Sequence, residues 1–439
     1  MKASTLSRKG VLGLNKFAFE RGHVGNVTIH VLPTTVFKTF AISLYAGIPL
    51  QEETVTETAI TPFVLRRGTQ SYPESIAFKE QLEHLYGAGF GFDVYKRGNY
   101  QIVQFQMDTI NDAFVQSDES LLEKSFSFLG EVLTKPALEE GTFRASYVQA
   151  EKDNVKQKLE SIINDKIRYA SERCLEEMFR NDPYRLHPLG KRDRIDTITP
   201  QSLYAAYQQW LAQSNLDLYV VGDTSLQEVE QLVSRYFNLD RSGTYGYNHE
   251  VSEFSKEDVR HVEEKLDVNQ GKLNLGLRTP INYASDQYPA ALVYNGILGS
   301  YPHSKLFINV REKASLAYYA SSRLDGHKGF VGIQAGIEIK NYEQALAIIQ
   351  SQLEALRNGE ISDIEMEQTK AMIKNSLLQL QDSAFEMISF DFNSVLSGKT
   401  RSAEQLLTEV EKVTVQDVVE VAQTVHLDTI YFLTGQKEE

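Results

Sequence analysis

A chain of 439 residues is too long for one ordinary core, and its 42% hydrophobic content is enough to fill several, which excludes wholesale disorder. Lys and Arg number 45 against 59 Asp and Glu, and the resulting charge of −14 disfavours nucleic-acid binding as a main role. The lone cysteine, Cys174, excludes intrachain disulfides and Cys-rich zinc modules.

The first ten residues hold no apolar run of signal-peptide length. No stretch reaches the ~20 apolar residues of a membrane span, so the chain reads as soluble and cytoplasmic, with no membrane partner. An amphipathic helix is predicted from Ile76 to Tyr86, stopped by Gly87 and Gly89. It carries Glu80 and His84 on one face, a pair able in principle to touch one metal. A solvated helix face accounts for them better. The nine histidines include no two at three to five residues' spacing, so no helix presents a two-histidine metal face.

Tyr100–Met107 reads as a strand, followed by helices near Leu121–Leu133 and Thr142–Leu159. Cys174 lies on the next helix, which begins at Lys166 and runs into a Pro-rich loop closed by Gly190. His187 in that loop is assigned to loop structure. Glu172 and Glu176 beside Cys174 disfavour its thiolate and predict an unreactive cysteine. Thr199 then caps a helix that leads, through a short turn, to the apolar strand Leu216–Gly222.

The same order returns further on. Gly329–Ile337 reads as a strand, with helices near Tyr342–Arg357 and Asp363–Leu380. Thr414 caps a helix leading to the strand Leu427–Gly435. The chain therefore reads as an internal duplication. Residues 1–237 form one half, 238–258 a polar linker, and 259–439 the other half. Strands and helices mix without βαβ alternation, which predicts α+β halves, each a mostly antiparallel sheet with helices on one face. Neither half carries a GxGxxG or Walker A loop, so no nucleotide cofactor is predicted.

Between the second half's early elements lies Gly299–Tyr319. A glycine-opened loop enters a helix carrying Arg311, breaks at Ala314–Ser315, and continues as a strand with Tyr318 and Tyr319. Adjacent strand residues point to opposite faces, so one tyrosine is packed and the other free. An arginine fork and a phenol together offer several donors to one peptide carbonyl. An arginine ion pair with tyrosines in the core explains the same residues equally well.

This segment, Ser304-Lys305-Leu306-Phe307-Ile308-Asn309-Val310-Arg311-Glu312-Lys313-Ala314-Ser315-Leu316-Ala317-Tyr318, resembles the Arg/Tyr motif in the C-terminal halves of M16 (pitrilysin/insulinase, processing-peptidase-like) metallopeptidases. The resemblance also takes in His187-Pro188-Leu189-Gly190, the run to Gly222 and the two-half plan. It implies two homologous LuxS/MPP-like halves and gives Arg311 and Tyr318 the roles of substrate binding and oxyanion stabilisation.

The family's His-x-x-Glu-His motif, anchored here on Gly68-Thr69, falls on Ala59, Pro62 and Phe63. Its distal glutamate falls near Lys158, with Glu151 and Glu160 as neighbours in the alignment. The implied metal set is none, and no cofactor is expected in this chain. Because proline costs about 3 kcal/mol inside a helix, the Ala59–Phe63 segment is expected to be bent or capped.

The resemblance is strongest to zinc-motif-less members associated with modification of elongation factor P. It implies a non-catalytic subunit of a heterodimeric peptidase, acting in trans beside a His-x-x-Glu-His-bearing partner that holds the zinc. The pair would enclose a chamber for a peptide substrate, and a homodimer is possible in isolation. The alternatives are a catalytically inactive scaffold or peptide-binding protein, and an active metallopeptidase using atypical ligands such as Glu80 and His84.

Overall fold

The computed structural model describes residues 17–117, 119–239, 246–249 and 258–436. The first ten residues and most of the 238–258 segment lie outside the described residues. The chain opens with the hairpin β1 (Glu20–Val24) and β2 (Val27–Pro33), then β3 (Thr39–Pro49), α1 (Val55–Leu65) and α2 (Ser75–His84). A second hairpin, β4 (Gly89–Arg97) and β5 (Tyr100–Ile110), precedes α3 (Leu121–Thr134). The short strands β6 (Leu138–Glu139) and β7 (Thr142–Phe143) lead to α4 (Ala145–Ile162), α5 (Lys166–Met178) and α6 (Arg192–Thr197). Then come α7 (Pro200–Gln213), β8 (Asn215–Gly222) and α8 (Leu226–Tyr236).

The later residues repeat this order: β9 (Arg260–Leu266), β10 (Gly271–Arg278), α9 (Tyr288–Asn295), β11 (Ala317–Asp325) and β12 (Phe330–Ile337). They continue as α10 (Tyr342–Arg357), α11 (Asp363–Gln379), α12 (Ala384–Ser397), α13 (Ala403–Lys412), α14 (Val415–Thr424) and β13 (His426–Gly435).

The two large sheets have one plan. Their strand orders are β1-β2-β8-β3-β5-β4 and β11-β12-β10-β13-β9. With β1 set aside and one order reversed, β2, β8, β3, β5 and β4 correspond to β9, β13, β10, β12 and β11. In each sheet only one pair is parallel, β2 with β8 and β13 with β9. The helices entering β8 and β13 are capped alike: Thr199 closes a reciprocal box with Ser202, and Thr414 with Asp417.

Alternation along the strands decides what each face buries. Ile42, Leu44, Leu218 and Val220 face the first half's own helices, in one core with α1, α3, α7 and α8. Leu273, Leu275, Ile333 and Ile430 do the same in the second half.

The opposite faces are covered by exchange. Tyr45, Ile102 and Tyr219 on the first sheet pack against Ile388 and Phe392 of α12. Tyr431 and Leu433 on the second sheet pack against Ala170 and Cys174 of α5. Each half thus lends the helix after its longest helix to the other sheet. Ion pairs and phenols pin both: Arg21 and the Tyr219 hydroxyl meet Asp391 at 2.9 and 2.8 Å. On the other sheet, Tyr169 and Tyr431 donate to Glu264 at 2.5 and 2.8 Å. The described part of the predicted linker is docked, with Tyr247 buried between Tyr100 and Phe392. The Tyr247 hydroxyl donates to Asp217 at 3.2 Å.

Candidate functional site

The Arg311–Tyr318 segment departs from an ordinary helix. After α9 the backbone widens into π-helical turns over Gly296–Ser300, and again over Phe307–Lys313, where the sequence predicts a regular helix. The Ala314 N–H reaches the Asn309 carbonyl, five residues back, at 3.3 Å. Such turns re-aim side chains and recur at functional sites.

A buried polar knot holds the first of them against β11. The Asn295 amide donates to Ser300 Oγ at 2.6 Å, while Ser322 Oγ donates to Asn295 Oδ1 at 2.8 Å. The approach requires a glycine, because a Cβ on Gly299 would lie 2.5 Å from the Ser322 nitrogen. The loop that follows is tied to α11 by His303 with Thr369 at 2.8 Å and by Lys305 with Glu365 at 3.0 Å. Leu306 and Val310 anchor the second π-helical stretch in the core.

From this frame Arg311 projects into solvent, its guanidinium 4.5 Å from the centre of the Phe307 ring and 3.7 Å from Glu312. Ser315 then takes the left-handed conformation, φ 54°, and reverses the chain at the break read from the sequence. In β11, Ala317 pairs with Ile337 and Tyr319 with Gly336, so Tyr318 is the extra residue of a bulge. Tyr318 is 56% exposed. Tyr319 is the packed one: it lies over Gly336, and burial pushes its phenol up to about 12. The strand therefore exposes Tyr318 and packs Tyr319. The sequence signalled this segment through Gly299 but gave no sign of the knot of Asn295, Ser300 and Ser322.

Helix α1 carries the other sequence-assigned positions, and here one expectation is corrected. Val55–Leu65 is a single continuous helix with Pro62 inside it, and its caps lie at Thr54 and Arg66, not within Ala59–Phe63. Every residue of α1 is buried, and that packing outweighs the helix cost of one proline. The Thr61 hydroxyl donates to the Glu57 carbonyl at 2.8 Å, adding a local bond one turn back. Ala59 lies in the core. Phe63 packs edge-on against Phe92, ring centres 4.7 Å apart. Lys158 Nζ stands 5.9 Å from the centre of the Phe63 ring, so these two positions are neighbours in space. Glu151 is buried, held by Arg67 and by the Asn154 amide at 2.7 Å. Glu160 is on the surface, 3.0 Å from Arg192.

Zinc, which the M16 resemblance implies, does not fit these residues. A methyl, a pyrrolidine and a phenyl ring donate no electron pair to a metal, and the ammonium of Lys158 repels one. Glu80 and His84 are both exposed on α2. Among the described residues no group of three or more His, Cys, Asp or Glu side chains is placed to hold a metal.

The remaining assignments concern α5 and its loop. His187 Nδ1 accepts the Leu189 N–H at 3.0 Å, and Nε2 lies 3.5 Å from Glu172. The ring thus serves the loop. Burial pushes the Cys174 thiol up to about 12, helped by Asp428 and Glu177 rather than by Glu172 and Glu176. No helix of the described residues is long and apolar enough to cross a membrane.

Fold and site together define a two-half α+β chain in which the positions that the M16 resemblance gives to the zinc motif carry side chains unable to bind metal. Comparisons with known proteins give the same class. A family model described as the peptidase M16 inactive domain matches residues 197–373. A relative from Bacillus subtilis (strain 168), named probable inactive metalloprotease YmfF, is 39% identical over 94% of this chain and 96% of its own. The subtilosin biosynthesis protein AlbE of Bacillus subtilis is 25% identical over 66% of this chain and 72% of its own. Among solved structures, a conserved protein from Enterococcus faecalis V583 matches with TM-score 0.88 and 34% identity, covering 96% of this chain and 99% of that one. A peptidase M16 inactive domain from Pseudomonas fluorescens shares the fold, with TM-score 0.79 at 19% identity, over 96% of this chain and 99% of that one. The chain belongs to the peptidase M16 family, among its inactive members.

Proposed function

We propose that the chain is the non-catalytic subunit of a heterodimeric M16-type peptidase. It builds half of a chamber and presents Arg311 and Tyr318 to a peptide held beside a zinc-bearing subunit. The observation that carries this reading is the contrast within one chain. The positions that the resemblance gives to the metal motif hold Ala59, Pro62 and Phe63, yet Arg311 and Tyr318 stand exposed on a segment built by π turns, a left-handed serine and a bulge.

The edge position of β11 supports peptide binding by strand addition, with main-chain hydrogen bonds beside Tyr318. The Arg311 fork engages a substrate carbonyl, and the Tyr318 hydroxyl donates to the oxyanion as it forms. The hydrolytic step belongs to the partner.

The test is to mix the purified chain with M16 subunits that carry His-x-x-Glu-His. The expected result is a stable one-to-one complex on size-exclusion chromatography that cleaves an unstructured peptide neither chain cleaves alone. Metal analysis of the isolated chain should find no stoichiometric zinc. Close to one zinc per chain, lost on His84→Ala, contradicts the assignment and favours an enzyme with atypical ligands.

A further inference from the structure

A second site lies in the first half, away from the Arg311 segment. The residues just after α1, with α2, α4 and the start of β4, line a pocket of about 420 Å³ with an apolar wall of Phe78, Leu82 and Phe90. Its rim carries Arg66, Arg67 and Lys79. The carboxylate in the lining is Glu151, which is already engaged. One of its oxygens takes Arg67 Nε, and the other takes the Asn154 amide at 2.7 Å. Arg66 and Lys79 are exposed and pair with no carboxylate among the described residues.

Arg66 also sits 5.1 Å from the centre of the Phe92 ring, whose neighbour Phe63 has Lys158 Nζ 5.9 Å from its own ring centre. In a chain of net charge −14, two cations without a carboxylate partner among the described residues, at the mouth of an apolar pocket, are a charge arrangement that folding itself does not require. An exposed lysine alone means little, and an exposed ion pair is worth little too. Here guanidinium and ammonium line one pocket with a wall able to bury a side chain, which adds apolar contact to charge-assisted hydrogen bonds.

We propose that this pocket binds an acidic peptide segment. A carboxylate lies between Arg66 and Lys79, and the adjoining large apolar side chain sits against Phe78, Leu82 and Phe90. The site is independent of Arg311 and Tyr318, so it stands or falls separately from the role assigned to them.

The probe is a fluorescein-labelled ten-residue peptide with a central Asp-Phe pair in a Gly/Ser background, followed by fluorescence anisotropy with the full chain. Binding is expected to weaken roughly tenfold when Asp becomes Asn, and by a similar factor when Phe becomes Ser. Rising salt should weaken it as well. The Arg66→Ala/Lys79→Ala double variant should lose binding by at least the same factor at unchanged melting temperature, since both side chains are exposed. Equal affinity for the Asp and Asn peptides overturns the proposal. So does undiminished binding by the double variant, or no binding of the Asp-Phe peptide at millimolar concentration.

Discussion

The connection after each half's central antiparallel strand runs through equivalent places and is put to opposite uses. Between β3 and β4 it forms α1, buried along its whole length, and what it shows to solvent at its end is the cationic Arg66. Between β10 and β11 it abandons α geometry twice and projects Arg311, just ahead of the exposed Tyr318 in β11. The strand orders stay alike because each sheet must bury both faces, while a connection that only has to cover one core is free to change. One half buries the helix on which the resemblance places the zinc motif. The other leaves Arg311 and Tyr318 exposed to solvent.

The exchange of α5 and α12 is the part of the comparison most easily broken. Phe392 is fully buried and stacks on Tyr45 with ring centres 3.8 Å apart. Phe392→Ala should cost about 3–5 kcal/mol in denaturant unfolding. Its counterpart on α5, Cys174, is smaller, and Cys174→Ala should cost about 1 kcal/mol. Similar losses for the two would show that the two helices are not unequal anchors.

Lys96 sharpens the comparison at the hairpin ends, where the second half has Leu324 at the matching register. Lys96 donates to the carbonyls of Tyr184 and Leu186 at 2.5 and 3.2 Å, and burial pulls its pKa down from 10.5 to about 8. Between pH 8 and 10.5 the unfolded chain therefore binds the proton that the folded chain has released. Stability contributed at this site rises with pH across that window, by about 2–3 kcal/mol. Lys96→Leu should lack that rise, measured as the wild-type-minus-variant difference in unfolding free energy at pH 7.5 and 10. The difference removes the opposite trend from Cys174, whose raised pKa costs stability above the ordinary thiol pKa of 9. A wild-type-minus-variant difference that stays flat with pH contradicts a buried, depressed Lys96.

The capping pair predicts the smallest change. Thr199→Ala and Thr414→Ala should each lose about 1 kcal/mol, because each removes the same reciprocal box in front of the same strand. If one substitution is silent, the two halves do not share that device.

These caps also explain what was legible in the sequence. Thr199 and Thr414 mark local bonds within one turn, and Leu216–Gly222 and Leu427–Gly435 are apolar throughout, so the duplication shows without tertiary information. The Tyr342–Arg357 helix lies where its periodicity puts it. The exchange of α5 and α12 does not show, because the apolar stripe holding Ile388 and Phe392 says that a face is buried and not against which sheet. The continuity of α1 through Pro62 is likewise a tertiary result. So are the π turns, which depend on Gly299 meeting Ser322 across a loop. At the candidate site, the sequence left Tyr318 and Tyr319 equal, and the bulge separates them.

The central claim is that Tyr318 acts on a substrate shared with another chain, and one measurement addresses it directly. Tyr318→Phe removes a hydroxyl from an exposed side chain, so folding and assembly should be unchanged. In a heterodimer with a zinc-bearing M16 subunit, with assembly confirmed by size-exclusion chromatography, kcat for peptide cleavage should fall about 10²–10³-fold, the usual cost of one oxyanion donor. A Tyr318→Phe complex that assembles normally and cleaves at the wild-type rate contradicts the shared site and leaves the chain an inactive scaffold.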